Sequence, residues 1–444
     1  MPAGREKLRE ASQRASARLE QWSMRRWFQV ALATGLALLH LFAFAQAGQS
    51  RLQVPFNTNP GEHIQYVDPM APSLGPFPRQ PPHWSRLIVS RFDTQHYVGF
   101  ALRGLSSCPT DPTKTDGWGY LNCGLGWLPA YGTVGGLVSS ATGMEPDVAL
   151  TVMAVLAAII LNLLWICPTM VKRMGRFEAF AILIAWNCYP SAWTLVAPMT
   201  ESAVLALAIC GFVMLCNERW VWSALLVGAC TALRLPTASF AFALGCCLLY
   251  AAWERRRAGT AQWWRPLLAV PFCGWGQFLT MAVFQIKLGN WHAFFDARFA
   301  FGDHNRLGRL IEPTYYVKGF QSQCADMVIY LGMIAVMIVT WRRVLSKLNR
   351  VETMFIVVSS LTTAVLAVAA AMQYWGITRY MLLCPLAFMG MGTVARQHRV
   401  LFVMLLAVWV GFYWHLELCS YVTQGDPKLC PCLGRIELHI PWQS

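Results

Sequence analysis

Twelve apolar runs, most of them separated by short polar turns, dominate this chain. They lie at about 27–47, 125–142, 148–171, 177–196, 200–216, 220–233, 236–253, 266–288, 325–341, 353–372, 380–395 and 400–418. A helix crossing a bilayer needs about 20 apolar residues, because each backbone N–H and C=O has to be satisfied inside the segment. Charged residues are 13% of the 444, against about 25% in a soluble domain. That share argues against a soluble globular fold, and the same composition excludes intrinsic disorder. The expected fold is an all-α polytopic membrane protein.

The balance of charge sets the path of the chain. Lys and Arg number 36 against 22 Asp and Glu, a net +14. A soluble protein with that balance suggests nucleic acid. Here the basic residues sit between apolar runs, as on cytoplasmic loops. Residues 1–26 carry Arg5, Lys7, Arg9, Arg14, Arg18, Arg25 and Arg26 ahead of the first run. The basic stretch and the full-length run favour an uncleaved anchor over a signal peptide, with the N-terminus cytoplasmic. If 125–142 crosses, Lys172, Arg173 and Arg176 fall outside, with most later basic clusters. If it does not, about 11 spans remain. Arg255–Arg257, Arg342, Arg343, Lys347, Arg350, Arg396 and Arg399 then all become cytoplasmic. Gly126, Gly132, Gly135, Gly136 and Gly143 also weaken 125–142 as a free helix. It is expected to lie in, or dip into, the outer interface. The domain layout is a cytoplasmic N-terminus (1–26), a membrane domain (27–418) and an outer tail (419–444). A first outer loop with interfacial helices (48–147) and a second outer loop (289–324) belong to the membrane domain.

Of 15 cysteines, most lie in spans, where free cysteine behaves as a small apolar residue. Cys108, Cys123, Cys324, Cys419, Cys430 and Cys432 are expected on the outer side, which can be oxidising. A Cys108–Cys123 bridge would close a short loop. Cys430-Pro431-Cys432 is too short for a zinc site alone, and a disulfide to Cys419 fits it better.

Ionisable residues at a membrane are costly and default to functional hypotheses. On this path Asp93, Glu201, Arg234, Asp296, Arg298, Asp303, His304, Arg306 and Arg379 gather at the outer face, from separate parts of the chain. Asp93 opens an expected helix in which Tyr97, Phe100 and Ala101 recur at helical spacing, with His96 and Tyr97 one turn on. It suits a general base and equally an N-cap. Glu201 suits a substrate contact, or a first-turn acid capped by Thr200. Arg234 and Arg379, the latter beside Tyr380, suit forked phosphate contacts or snorkelling to headgroups. The stretch from Asn290 to His304 mixes aromatics and charge, as sugar-binding surfaces do; an aromatic belt does the same. No phosphate-binding loop, dinucleotide fingerprint or HExxH is present, and no internal repeat signals an inverted-repeat transporter.

Five stretches carry a resemblance. They are Arg91-Phe92-Asp93-Thr94-Gln95-His96-Tyr97, Trp127-Leu128-Pro129-Ala130-Tyr131, Tyr189-Pro190-Ser191-Ala192 through Ala197-Pro198-Met199-Thr200-Glu201-Ser202, Ala232-Leu233-Arg234-Leu235-Pro236-Thr237, and Arg379-Tyr380. Together they resemble the PIG-V-like mannosyltransferases, within the GT-C class of membrane glycosyltransferases. Phe92 stands where that family usually has Trp, and Thr237 where Gly is common. The resemblance implies sugar transfer from a polyprenyl- or dolichyl-phosphate donor to a glycan, glycolipid or protein acceptor, on the periplasmic or luminal face. It implies Asp93 as catalytic carboxylate, Arg234 and Arg379 on the departing phosphate and Glu201 on the donor sugar; His96, Tyr97, Asp296, Arg298, His304 and Tyr380 are further candidates for substrate contact from their place at the outer face. No nucleotide leaves in such a reaction, so no metal or other cofactor is expected. The Ala- and Arg-rich composition favours a bacterial inner membrane over an endoplasmic reticulum membrane. The alternatives are a transporter or flippase of lipid-linked saccharides and a structural subunit. A transporter is expected to place ionisable groups at mid-span, and here they sit at the ends.

Overall fold

A computed structural model describes residues 26–52, 93–106, 108–111, 119–120, 123–300, 308, 311–322, 324–370 and 377–413. The described residues form helices and no strand: α1 (Arg26–Leu52), α2 (Asp93–Arg103), α3 (Ala130–Thr142), α4 (Pro146–Trp165), α5 (Pro168–Met174), α6 (Arg176–Cys188), α7 (Glu201–Cys216), α8 (Trp220–Leu233), α9 (Ala238–Arg257), α10 (Trp275–Leu288), α11 (Ala293–Ala300), α12 (Pro313–Ser322), α13 (Cys324–Leu345), α14 (Arg350–Ala370), α15 (Ile377–Met381), α16 (Pro385–Gln397) and α17 (Arg399–Phe412). Short 3-10 turns occupy Pro190–Leu195, Leu235–Thr237 and Leu267–Gly274.

Among the described residues, six segments are long and apolar enough to cross a membrane: Arg26–Ala43, Pro146–Trp165, Leu235–Arg257, Leu267–Leu288, Ala325–Leu345 and Arg350–Ala369. The chain is a helical, multi-pass membrane protein. The expected runs break where proline and glycine dictate. The run 148–171 divides at Ile166–Cys167, because Pro168 opens a new helix as its N1 residue. Gly175, at φ +88, separates α5 from α6. Pro190 turns the end of the 177–196 run into a 3-10 turn. Among the described residues, α7, α8 and α17 are apolar but shorter than a crossing.

Packing follows the small residues. Helix α3, expected to be weakened by its glycines, is where they serve contact. A Cβ at Gly132 would lie 2.4 Å from the Tyr97 carbonyl oxygen, and one at Gly136 2.5 Å from that of Ala101. These two positions, one turn apart, let α3 lie directly on the backbone of α2. Gly135 makes room instead for a side chain, that of Leu150 of α4. Gly143 ends α3 at φ +70, and its N–H bonds the Ser139 carbonyl.

The core centres on Trp165, Trp186, Tyr189, Phe388 and Trp409, whose rings meet at 4.1–6.4 Å. Beside it runs a buried polar chain across four helices. Tyr413 O–H donates to His40 Nδ1 (3.0 Å), and His40 Nε2 to Asn187 Oδ1 (3.2 Å). Asn187 Nδ2 donates to Asn162 Oδ1 (3.0 Å), and Asn162 Nδ2 to the Ala33 carbonyl (3.2 Å). This assignment satisfies every member with a neutral His40, as buried polar groups require.

Candidate functional site

The turns of the α7–α8 hairpin decide which charges meet. Helix α7 leaves from Glu201, α8 returns along it, and Arg234 follows its last residue. Arg234 takes an extended backbone (φ −157°, ψ 133°) between the end of α8 and the 3-10 turn Leu235–Thr237. Glu201 and Arg234 therefore share one end of the bundle. Asp93 reaches the same end as the first residue of α2, and Arg379 arrives on α15. Tyr189 O–H holds α15 by donating to the Thr378 carbonyl (3.0 Å), and Thr378 Oγ1 contacts Asp326 Oδ1 (3.2 Å).

The four charges form one cluster. Arg379 Nη2 donates to Asp93 Oδ2 at 2.8 Å and to Glu201 Oε1 at 2.5 Å, and Arg379 Nε reaches the same Oε1 at 3.0 Å. Arg234 Nη1 donates to that oxygen as well. Met199 Sδ lies 3.4 Å from Arg379 Nη2. Arg234 also sits over the Tyr380 ring, 5.1 Å from its centroid. Glu201 is 1% exposed, while Asp93 keeps 24% of its side chain accessible. The other Glu201 oxygen, Oε2, is buried with no hydrogen-bond partner. One carboxylate thus holds two guanidinium groups together, and the accessible carboxylate shares one of them. The capping roles open to both acids are displaced at Glu201: Thr200 precedes α7 without a side-chain cap bond, and Glu201 spends its charge on arginine.

Electrostatics separate the neighbouring groups. Burial alone raises a carboxyl's pKa. At Asp93 the charges of Arg379 and then Arg234 outweigh it and bring the group down to about 2. Burial lowers the His96 imidazole to about 4, against the opposing pull of Asp93. His96 is therefore neutral at neutral pH. Its ring stacks on Trp127 at 3.4 Å between centroids, and its Nδ1 is buried without a partner. Burial, then Asp93, pushes the Tyr97 phenol upward, and its ring meets Tyr131 edge to face.

The expected Cys108–Cys123 disulfide is present, closing 15 residues of separation. It packs with Phe100, Tyr120, Leu125 and Leu128 against Phe284, Leu288, Ala293, Phe294 and Ala297. Helix α11 thereby joins the lobe that carries α2.

Asp93, Glu201, Arg234, Arg379 and Tyr380 come together, with His96 and Tyr97 beside them on α2. Asp296 is engaged locally instead: its Oδ2 accepts from His292 Nδ1 (2.8 Å) and Asn290 Nδ2 (2.9 Å). Arg298 lies two residues on in α11. Asp303, His304 and Arg306 fall outside the described residues, as do Cys419, Cys430 and Cys432. Among the described residues no His, Cys, Asp and Glu group suits a metal ion. Sequence reasoning missed a second charged cluster. Glu178 Oε1 accepts from Lys347 Nζ (2.5 Å) and Arg396 Nη1 (3.3 Å), and Glu352 pairs with Arg173 (2.5 Å). The signal was an acid in the first turn of each apolar run, beside basic loops. His40, the ionisable residue inside the first run, was also missed, though its position alone marks it. No family model, curated protein or solved structure matches this chain.

Proposed function

We propose that this chain is a membrane glycosyltransferase of GT-C-like architecture, moving a sugar, mannose on the resemblance, from a polyprenyl-phosphate donor to an acceptor hydroxyl. The observation that carries the reading is the convergence of Asp93 and Glu201 on Arg379, with Arg234 on the same Glu201 oxygen. An inverting displacement needs one base and a cationic seat for a departing phosphate. Asp93 takes the acceptor proton as the acceptor oxygen forms its bond to the anomeric carbon. The carbon–oxygen bond to phosphate breaks, and its electron pair goes to the phosphate oxygen. Arg234 and Arg379 stabilise the charge growing there. Arg379 suits the exchange because it neutralises Asp93 in the free protein, and its shift toward a bound donor phosphate leaves Asp93 more basic for the acceptor proton. The unpartnered Glu201 Oε2 supports a bond to a donor-sugar hydroxyl. His96 and Trp127 offer an aromatic wall of the kind that packs on sugar rings.

The reading has eleven crossings, with the cluster on the periplasmic or luminal side. A carrier of lipid-linked saccharides is the competing reading. One observation favours it: paired charges occupy both ends of the bundle, as gates do. Incubating the purified protein with polyprenyl-phosphate mannose and candidate acceptors decides the matter. A glycosylated product that disappears in Asp93→Asn supports the enzyme. Movement of donor across a vesicle without product supports the carrier.

A further inference from the structure

The end of α9 opposite the Asp93 cluster carries a charge pattern that sugar transfer does not use. From Arg234 to Arg257 the chain rises about 30 Å along one helix, so the two features lie at opposite ends of a crossing. Arg255 at this end is paired with Glu218 at 2.6 Å. Arg173, Lys347 and Arg396 are likewise paired with glutamates. Arg256, Arg257 and Arg265 differ. All three are exposed, and none has a carboxylate partner among the described residues. Arg256 lies over the Trp263 ring at 5.3 Å and Arg257 over the Trp253 ring at 5.6 Å. Trp253 and Trp264 are 53% and 46% exposed.

Two independent properties identify what this corner receives. Three unneutralised guanidinium groups call for an anion, and Arg binds phosphate oxygens in forked geometry. Exposed indoles call for the boundary between headgroups and acyl chains. A soluble phosphate answers the first and not the second. The corner also lies between two membrane-length segments, Leu235–Arg257 and Leu267–Leu288, and so at headgroup level. We propose that Arg256, Arg257 and Arg265, with Trp253, Trp263 and Trp264, form a binding site for an anionic phospholipid of the leaflet facing this end. The guanidinium groups take the headgroup phosphate, and the indoles flank its glycerol and upper acyl chains.

The test uses the full purified chain in neutral detergent with equimolar phosphatidylglycerol and phosphatidylcholine of identical acyl chains. Native mass spectrometry reads the bound lipid. The expected result is enrichment of phosphatidylglycerol by about tenfold or more, since each surface cation contributes on the order of 1 kcal/mol. Arg256→Gln/Arg257→Gln/Arg265→Gln is expected to bring the ratio close to unity. The substituted side chains are exposed, so helix content checks that the fold persists. Trp253→Ala/Trp264→Ala keeps every charge and is expected to loosen retention of both lipids. Equal retention by the unaltered protein overturns the site, as does a triple Gln variant that keeps the preference. Unchanged retention in the Trp variant, or complete displacement by millimolar inorganic phosphate, also overturns it. None of these outcomes depends on the chemistry at the opposite end.

Discussion

At the scale of single residues, Arg379 is the one on which the cluster turns. It bonds both carboxylates, so replacing it with Lys keeps the charge but loses the fork that reaches two partners. Arg379→Lys is expected to lose most sugar transfer while the protein stays folded. Asp93→Asn removes the base and is expected to cost about 10²–10⁴-fold in rate, measured as product formed. The pH dependence has a definite sign. Asp93 falls from its ordinary 3.8 to about 2 in the folded protein. Its contribution to stability is present above pH 3.8 and lost as pH falls toward 2. His96 is depressed from 6.5 to about 4. Its contribution is complete above pH 6.5 and shrinks as pH falls to 4, where the unfolded chain takes a proton that the folded one resists. Thermal stability of the wild type is therefore expected to decline between pH 7 and 4, and less so in His96→Gln. On the proposed chemistry, a donor phosphate that draws Arg379 away leaves Asp93 more basic. The acid limb of kcat is then expected at higher pH than that of kcat/KM; coincident limbs would remove this role from Arg379.

At the scale of elements, α3 decides where Asp93 stands, because it lies on the backbone of α2 through Gly132 and Gly136. Gly136→Ala puts a methyl group 2.5 Å from the Ala101 carbonyl oxygen. Neither backbone can yield without moving α2, so overpacking is expected to cost about 1–3 kcal/mol and to lower transfer with it. Ala at Gly245, where no atom lies within 4 Å, is the neutral control for both measurements. The Cys108–Cys123 bridge supports the same helix from the other side, and its loss is expected to destabilise this lobe by about 3 kcal/mol. Reduction should therefore lower the melting temperature of the wild type and leave Cys108→Ser/Cys123→Ser unchanged. These elements mark how far the sequence is legible. Asp93, Glu201, Arg234 and Arg379 stood out because charge at the end of an apolar run is costly enough to need a reason. The start of α2 followed from Tyr97 and Phe100 at helical spacing. The close contacts of the α3 glycines were not legible, because weak intrinsic helix propensity and close contact leave the same residue in the sequence; only the partner backbone tells them apart. Nor does any local pattern join Tyr189 to Thr378, or Arg379 to Asp93, since those partners stand 189 and 286 residues apart.

For the whole molecule, the question is how many helices cross. Between Ser106 and Ala258 lie α3 to α9, of which α3 rests on α2 and α5 is a single short helix, so that α4, α6, α7, α8 and α9 are the ones to count. Two segments there, Pro146–Trp165 and Leu235–Arg257, have the full length of a crossing. If those alone cross, Ser106 and Ala258 lie on the same side. If α6, α7 and α8 also cross, the number is odd and they lie on opposite sides. The path of the chain favours the odd number. Glu201 and Arg234 meet at one end of the α7–α8 hairpin, whereas Glu218, in its turn, pairs with Arg255 at the far end of α9. Glu178, at the start of α6, joins Lys347 and Arg396 instead of the Asp93 cluster. The short helices therefore carry the chain from one charged end to the other. They reach further than their helical length suggests, because turns such as Pro190–Leu195 extend them. On the proposed path Arg256 and Arg257, which have no carboxylate partner among the described residues, face the cytoplasm, since basic residues beside spans stay on that side. Cysteines placed singly at the exposed positions Ser106 and Ala258 test this with a membrane-impermeant thiol reagent. The expected outcome is that Ala258→Cys reacts only from the cytoplasmic side and Ser106→Cys only from the other. Labelling of both from one side would leave α6, α7 and α8 as a non-crossing group, and the proposed eleven-crossing path would fail with them.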